Sequence, residues 1–252
     1  MGFMQRSDQL TQLKIATDNG LWAYGFNTDV DAAEDVIEQG GDYAGFPVIA
    51  LDDCEPVELL SSDAADDATG TGARTVRVHG LNDEGDLDTE TVTLDGTTPV
   101  PTVEEWFRVH RLEVLTAGSG GVNAGTITAR HATTEGNVFA VMTIGANVTK
   151  MAVATIPRNK VGYVTRRAAM ISNIASGGTA VEASTVLQTR SQGGVWLSHR
   201  PLVLTNLDGQ PVHDVPVGLA LPAYTDVRER VAATSATNMD ATAEFAIGLV
   251  DA

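Results

Sequence analysis

Residues 74–79 read Arg-Thr-Val-Arg-Val-His and residues 89–94 read Thr-Glu-Thr-Val-Thr-Leu, so polar and apolar side chains alternate in both runs. A period of two indicates a β-strand that packs one face against a core. Between them, residues 80–86 (GLNDEGD) form a cluster of the small and polar residues typical of turns. The two runs are therefore predicted to pair as a β-hairpin.

Short strand-like runs continue along the rest of the chain at roughly 10-residue spacing, separated by Gly, Asn and Pro. No helical stretch of about 15 residues alternates with them, which disfavours a doubly wound α/β fold. The pattern predicts a mainly β protein, an antiparallel β-sandwich or jelly-roll-like barrel. The predicted strands are residues 106–116, 126–131, 138–144, 150–156, 162–172, 181–190, 194–197, 217–221 and 243–250.

One or two short helices are also expected. Residues 30–39 have the best helical pattern, with Asp29 or Asp31 as the N-cap and Gly40 as the stop signal. Residues 162–172, which include an Arg-Arg-Ala-Ala-Met run, and residues 226–233 are compatible with a short helix as well as with a strand.

The first 60 residues differ from the rest because their apolar groups are isolated between Gly- and Asp-rich spacers. This pattern is typical of a segment that buries single side chains in another subunit. Residues 1–60 are predicted to form an extended arm, with Trp22, Tyr24, Tyr43 and Phe46 as interface anchors. Residues 61–252 then form the β body, either as one unit or as two β subdomains, 61–165 and 166–252.

Composition excludes several classes of protein. The chain has 252 residues, with 16 Lys plus Arg against 33 Asp plus Glu, a net charge of −17 that repels phosphate and anionic lipid. We expect no nucleic-acid and no membrane partner. A single cysteine, Cys54, excludes an internal disulfide. The polar start is not typical of a signal peptide, so synthesis in a cytoplasm is expected.

The acidic bias has two explanations. Only three lysines are present, Lys14, Lys150 and Lys160, and acidic residues crowd into segments 52–67 and 83–95. An acidic, lysine-poor surface suits high salt, where screening reduces self-repulsion, and this favours a halophilic host. A general solubility bias combined with GC-rich coding explains the same composition.

Short catalytic signatures are missing from the sequence. Ser119 stands in a Gly-Ser-Gly turn without the spacing of a nucleophile elbow, and the five histidines form no close metal-binding pair. Glu104 and Glu105 are adjacent, so on a strand they point to opposite faces and do not form an acid pair. The least implausible distant triad is Ser119 with His110 and Asp95. A non-enzymatic protein without cofactor or metal is predicted.

The acidic loop at residues 61–72 is the one candidate for cation binding. Asp63, Asp66 and Asp67 lie within five positions, and calcium prefers such oxygen ligands, although the spacing is not that of an EF-hand. A solvated acidic loop and a cation site both remain open.

A longer block resembles structural proteins of tailed viruses. The block is SSDAADDATGTGARTV at residues 61–76, followed by HGL at 79–81 and ETVTLDGTTPV at 90–100. The resemblance covers most of residues 20–165, but Arg158-Asn159 stands where Ala-Gly is usual in that family. The remaining similar segments are residues 27–31, 40–43, 108–111, 123–127 and 156–157.

The resemblance implies a virion component. The favoured expectation is a capsid decoration or cement protein that assembles as a homo-oligomer, preferably a trimer, on the major capsid protein or other virion proteins. A neck, collar, tail or baseplate component is the alternative within the virion. A carbohydrate-binding module and a virion-borne hydrolase are the alternatives from other classes.

Overall fold

The computed structural model describes residues 20–30, 33–37, 47, 49–172, 181–205, 212–214 and 219–252. Over these residues the protein is mainly β, with antiparallel sheets that include two curled half-barrels. The strands are β1 (Gly20–Val30), β2 (Ala33–Val36), β3 (Glu55–Ser61), β4 (Ala73–Asn82), β5 (Leu87–Thr93), β6 (Val100–Ala117), β7 (Ile127–His131), β8 (Val138–Met142), β9 (Val153–Thr155), β10 (Lys160–Ser172), β11 (Glu182–Arg190), β12 (Leu197–Thr205), β13 (Val212–Asp214), β14 (Ala220–Leu221), β15 (Asp226–Thr234) and β16 (Met239–Asp251).

Sheet I contains six strands in the order β5-β4-β6-β3-β7-β8. It includes the hairpin expected from the sequence, because β4 pairs with β5 in a register that sets Val76 opposite Val92. Val76 and Val92 are buried, and the alternating threonines of β5 are exposed. The period-two interpretation of this segment is confirmed.

The remaining strands form two further sheets. Sheet II has the order β1-β16-β10-β13, with β14 also paired to β10, and sheet III has the order β12-β11-β15-β2, with β9 also paired to β15. β16 supplies the inner face of sheet II, because the alternate residues Phe245, Ile247 and Leu249 are buried in the hydrophobic core. This is the face predicted from the sequence.

Two hydrophobic cores hold the sheets together. One core lies under sheet I and is centred on large side chains such as Leu59, Trp106 and Phe139. The other is shared by sheets II and III and includes Phe245, Leu187 and Val231. Sheets II and III therefore pack against each other, while sheet I covers a second core to which Val153 of β9 also contributes.

A buried ionic network joins sheet I to sheet III. Arg108 of β6 donates two hydrogen bonds to the carboxylate of Asp226 on β15, from Nε at 2.9 Å and Nη2 at 3.0 Å. Arg190 of β11 donates to the same carboxylate from Nε at 2.9 Å, and the Thr155 hydroxyl donates to it at 2.7 Å. This bidentate, fully paired arrangement is the geometry in which a buried carboxylate is tolerated.

The helix predicted over residues 30–39 is wrong. Val30 ends β1 and Ala33–Val36 is a strand that pairs antiparallel with β15. The main chain of Ile37 continues this contact, since its carbonyl accepts a hydrogen bond from Ala152 N–H and its side chain is buried. Backbone pairing with a distant strand outweighs the local helical pattern here. Residues 31–32 and 38–40 lie outside the described residues.

The two other helical alternatives are also wrong. Residues 162–172 lie within β10 and residues 226–233 within β15, both extended and paired on both sides. The described residues contain one helical turn, a 3-10 turn at Leu51–Asp53, and none of their helices is long and apolar enough to cross a membrane.

Part of the predicted arm is built into the sheets. β1 pairs along its length with β16 in sheet II, and β3 lies between β6 and β7 in sheet I. Residues 1–19 and most of 38–48 lie outside the described residues. The boundary near residue 165 between two β subdomains stays a prediction.

Candidate functional site

A large concave surface in the described part of the chain lies beside β1. This cleft has a volume of about 690 Å³, within the range of ligand-binding pockets, and we call it the β1 cleft. Its walls are residues 20–24 of β1, parts of β4, β5 and β6 of sheet I, and residues 148–154. The cleft therefore lies where sheet II meets sheet I.

Aromatic side chains line the outer face of β1. Alternation along the strand places Trp22, Tyr24 and Phe26 on one face, with the small residues Ala23 and Gly25 buried between them on the other. The side chain of Trp22 is 73% exposed and that of Tyr24 is 41% exposed. Large exposed aromatic side chains on one strand are characteristic of binding surfaces.

β1 is also the edge strand of sheet II. One side of it is hydrogen-bonded to β16, in register from Gly20 opposite Gly248 to Val30 opposite Met239. On the other side, the described residues provide a single isolated bridge, between Tyr24 and Met151. Over residues 20–23, no described strand other than β16 is hydrogen-bonded to β1, although Val153 and Ala154 of β9 line the same cleft.

The sheet I wall of the cleft carries polar groups. His79 Nε2 lies 3.1 Å from Glu113 Oε2, and Arg111 Nη2 lies 3.6 Å from the same oxygen. Burial, followed by the neighbouring charge of Arg111, lowers the pKa of His79 below its ordinary value. His79 is therefore neutral at pH 7, and Arg111 carries the positive charge of this wall.

His110 is held by the main chain at the back of the cleft. Its Nε2 accepts a hydrogen bond from Thr155 N–H at 3.1 Å, which requires the neutral ring. Burial lowers the pKa of His110 to about 4. It is a hydrogen-bond acceptor that joins β6 to β9.

Lys150 supplies the second positive charge. It lines the cleft, and its Nζ lies 5.5 Å from the centroid of the Phe26 ring, within cation–π range. Asp88 is the carboxylate of the lining. The lining therefore carries two permanent cations and one carboxylate, and the carboxylate of Glu113 lies beside Arg111 just outside the lining.

The structure describes two of the four predicted interface residues. Trp22 and Tyr24 lie together on β1 and are exposed. Tyr43 and Phe46 lie outside the described residues.

The distant triad is not assembled. His110 lies within β6, and Ser119 lies in the turn beyond the end of that strand, nine residues further along the chain. At about 3.3 Å per residue, their separation along the strand is far beyond hydrogen-bond reach. Asp95 lies just beyond the end of β5, where its main chain forms bridges with Asp67 and Thr98.

The acidic loop has a structural organiser at its centre. Asp66 is fully buried and its carboxylate accepts hydrogen bonds from the Ser61 hydroxyl at 2.6 Å and from the N–H groups of Ala73, Ala124 and Gly125 at 2.7 to 2.8 Å. The expectation of a fully solvated loop is therefore wrong for Asp66.

The neighbouring residues support this role. Asp63 is exposed and forms a local turn to Ala65 N–H. A Cβ at Gly72 would lie 2.1 Å from Asp66 Oδ1, so glycine is needed for the close approach. Among the described residues, no group of three or more His, Cys, Asp and Glu side chains is arranged to hold a metal ion.

Cys54 lines a second, smaller pocket of about 320 Å³ with Asp53, Glu55 and Glu105. Burial, with the nearby carboxylate of Asp83, raises the pKa of the Cys54 thiol to about 11. The thiol is therefore protonated at neutral pH, which is opposite to what a nucleophilic cysteine requires.

Sequence reasoning missed most of the β1 cleft. Phe26, which lies on the same face of β1 as Trp22 and Tyr24 but outside the lining, was detectable, because the run Trp-Ala-Tyr-Gly-Phe at residues 22–26 alternates aromatic with small residues at a strand period. Arg111 and Lys150 lie 39 positions apart and come together only through the packing of β6 against the segment before β9. No local signal in the sequence joins them.

Comparison of the chain with models of known protein families found no match, and neither did comparison with curated proteins.

Proposed function

We propose that the protein is a non-enzymatic structural component of a tailed-virus virion, most specifically a capsid decoration or cement protein. In this proposal it is made in the host cytoplasm and becomes part of the virion. The body is of the β-sandwich or jelly-roll type, assembles as a trimer, and attaches to the major capsid protein. The observation that carries the proposal is the exposed aromatic face of β1, with Trp22 and Tyr24 beside an open cleft.

A surface of this kind favours binding to a protein partner. Aromatic residues dominate the binding energy of protein interfaces, because they bury a large area with few rotatable bonds. Trp22 and Tyr24 lie on a strand fixed by β16, so little ordering is needed when a partner covers them. Many copies of a modest contact of this type hold a protein on a particle through avidity.

The resemblance of residues 20–165 to tailed-virus structural proteins supports the virion as the setting. A neck, collar, tail or baseplate position would use the same aromatic surface in a ring instead of a trimer. Sedimentation of the purified protein measures its stoichiometry, and immunogold labelling of intact particles locates it. A trimer on the head surface supports the decoration role, and a six- or twelvefold ring at the neck or tail contradicts it.

The loading of the protein onto particles tests directly whether the aromatic face of β1 binds the virion. Virions produced without the protein are mixed with purified wild type or with the double variant Trp22→Thr/Tyr24→Thr, which keeps residues of high strand propensity. We expect the variant to bind at least about tenfold more weakly, because each interface aromatic typically contributes more than about 1 kcal/mol. Binding is measured by co-sedimentation with particles.

Tyr163→Thr is the matched control, because Tyr163 lies on β10 of the same sheet and is also 41% exposed, outside the cleft lining. It should load like the wild type. Equal loading of the double variant and the wild type would contradict an interface at β1.

A carbohydrate-binding module is the second candidate, because exposed Trp and Tyr side chains beside polar groups also bind sugar rings. A glycan array probed with the wild type and Trp22→Thr distinguishes it. Glycan binding that Trp22→Thr abolishes would favour this function over the virion role, and an array without hits would reject it.

A further inference from the structure

We infer that the β1 cleft binds an extended acidic peptide segment, which adds as a further strand to the edge of β1. This inference rests on the proposed function, because the peptide segment is assigned to a neighbouring virion protein. It goes beyond that function by stating the backbone conformation and the charge of the partner.

The first argument is the open strand edge. Met151 bridges β1 at Tyr24, and residues 20–23 continue the same edge along the cleft, where no described strand is hydrogen-bonded to them on that side. A strand edge presents N–H and C=O groups at alternate residues, and an extended peptide satisfies them. Four residues at about 3.3 Å each provide room for a paired segment of about four residues.

The second argument is the alternation of the cleft walls. A peptide strand added to β1 projects its side chains alternately to the two faces of sheet II. One face carries Trp22 and Tyr24, which provide apolar contact area. Sheet I and the segment that precedes β9 form the rest of the cleft, with Arg111 and Lys150 in its lining.

The third argument is charge. Arg111 and Lys150 line the cleft together with one carboxylate, Asp88, and Glu113 Oε2 lies 3.6 Å from Arg111 Nη2 outside the lining. The side chain of Arg111 is half exposed, so its guanidinium remains accessible to a carboxylate of the partner. The chain as a whole carries a net charge of −17, so a cleft lined by two cations is a place where an acidic partner is favoured.

The edge geometry distinguishes a peptide from an acidic saccharide. A saccharide would use the aromatic rings and the cations, but it has no regular series of N–H and C=O groups to pair with residues 20–23. The open edge is therefore the observation that favours a peptide.

The experiment uses the full-length protein and three acetylated, amidated hexapeptides. EVETEV is the acidic probe, KVKTKV is its charge-reversed control, and EVETEV with alternate N-methylated peptide bonds is the control that cannot pair as a strand. Binding is measured by isothermal titration calorimetry and by acrylamide quenching of tryptophan fluorescence. Trp22 dominates the quenching, because Trp106 is buried and Trp196 is partly buried, with Arg190 and Arg228 over its ring.

We expect EVETEV to bind, to protect Trp22 from quenching and to bind less tightly as salt is added. KVKTKV and the N-methylated peptide should bind at least about tenfold more weakly. Lys150→Gln should weaken EVETEV binding about fivefold or more, whereas Lys160→Gln should leave it unchanged. Lys160 is the matched control, because it is paired with Asp251 outside the cleft lining.

Three results would overturn the inference. The first is equal affinity for EVETEV and the N-methylated peptide. The second is binding of oligogalacturonate but not of EVETEV. The third is dissociation of the wild-type oligomer by the substitution Lys150→Gln, which would mean that a second copy of the chain occupies the cleft. Absence of peptide binding together with Trp22-dependent loading of particles would reject this inference and leave the proposed function intact.

Discussion

Sheet I and the paired sheets II and III differ in where their charged side chains are buried. In sheet I the buried carboxylate of Asp66 organises loops at the end of the sheet, and the Arg130–Glu58 ion pair keeps some access to solvent. In sheets II and III, Arg167 and Glu229 are fully buried within the layers as an ion pair. The second region therefore buries a complete ion pair between its layers, and removing one partner of such a pair leaves an uncompensated charge.

The largest expected effect is at the junction between these regions. Asp226→Ala leaves the guanidinium groups of Arg108 and Arg190 buried without their shared carboxylate. We expect the free energy of unfolding to fall by about 4 kcal/mol, because removing one partner of a buried ion pair leaves uncompensated charge. Urea denaturation measures the loss.

Asp251→Asn is the control, since Asp251 pairs with Lys160 on the surface and should change the unfolding midpoint little. A small effect of Asp226→Ala, comparable to that of Asp251→Asn, would remove the distinction between the two regions.

A smaller effect is expected from the titration of His110. Its pKa is about 4 in the folded protein and its ordinary value is 6.5, so the unfolded chain takes up the proton first as the pH falls. This contribution to stability is complete above pH 6.5 and is lost between pH 6.5 and 4, by about 2 to 3 kcal/mol.

Comparing wild type with His110→Gln isolates this contribution, because glutamine keeps an acceptor for Thr155 N–H but does not titrate. The difference in unfolding free energy between the two proteins should change between pH 7 and pH 4, with the wild type losing more. If the unfolding free energies of the two proteins changed in parallel with pH, His110 would be accessible to protons in the folded state.

Asp66→Asn tests the loop of sheet I. The asparagine amide would face N–H groups that now donate to a carboxylate, so we expect a loss of about 2 kcal/mol in unfolding free energy. Asp63→Asn is the matched control, because asparagine preserves the local turn to Ala65. Equal stability of the two variants in urea would indicate that the buried carboxylate is not the organiser of this loop.

The smallest effect on stability is expected on the exposed face of β1. Trp22→Thr should change the unfolding free energy by less than about 0.5 kcal/mol, since the indole is mostly exposed and threonine favours strands. Thermal unfolding followed by circular dichroism checks this. A large loss would mean that Trp22 supports the fold, and its effect on particle loading would then need a different explanation.

The sequence predicted the antiparallel β-hairpin at residues 74–94 and the buried face of β16, because alternation is a property of neighbouring residues. It also identified Trp22 and Tyr24 as candidate contact residues. It did not predict the strand at Ala33–Val36, whose partner β15 lies almost 200 positions away. Local propensity is a weak guide when a distant strand supplies the hydrogen bonds.

By itself, the sequence determined the strand period, the acidic surface and the lack of any disulfide, since each follows from composition or from spacing of one or two residues. Only the tertiary structure decided that Asp66 is a buried acceptor, that Arg108 meets Asp226 across 118 positions, and that Arg111 and Lys150 line one cleft. These outcomes depend on how curved sheets pack together, and sheet packing brings side chains into contact irrespective of their separation along the chain.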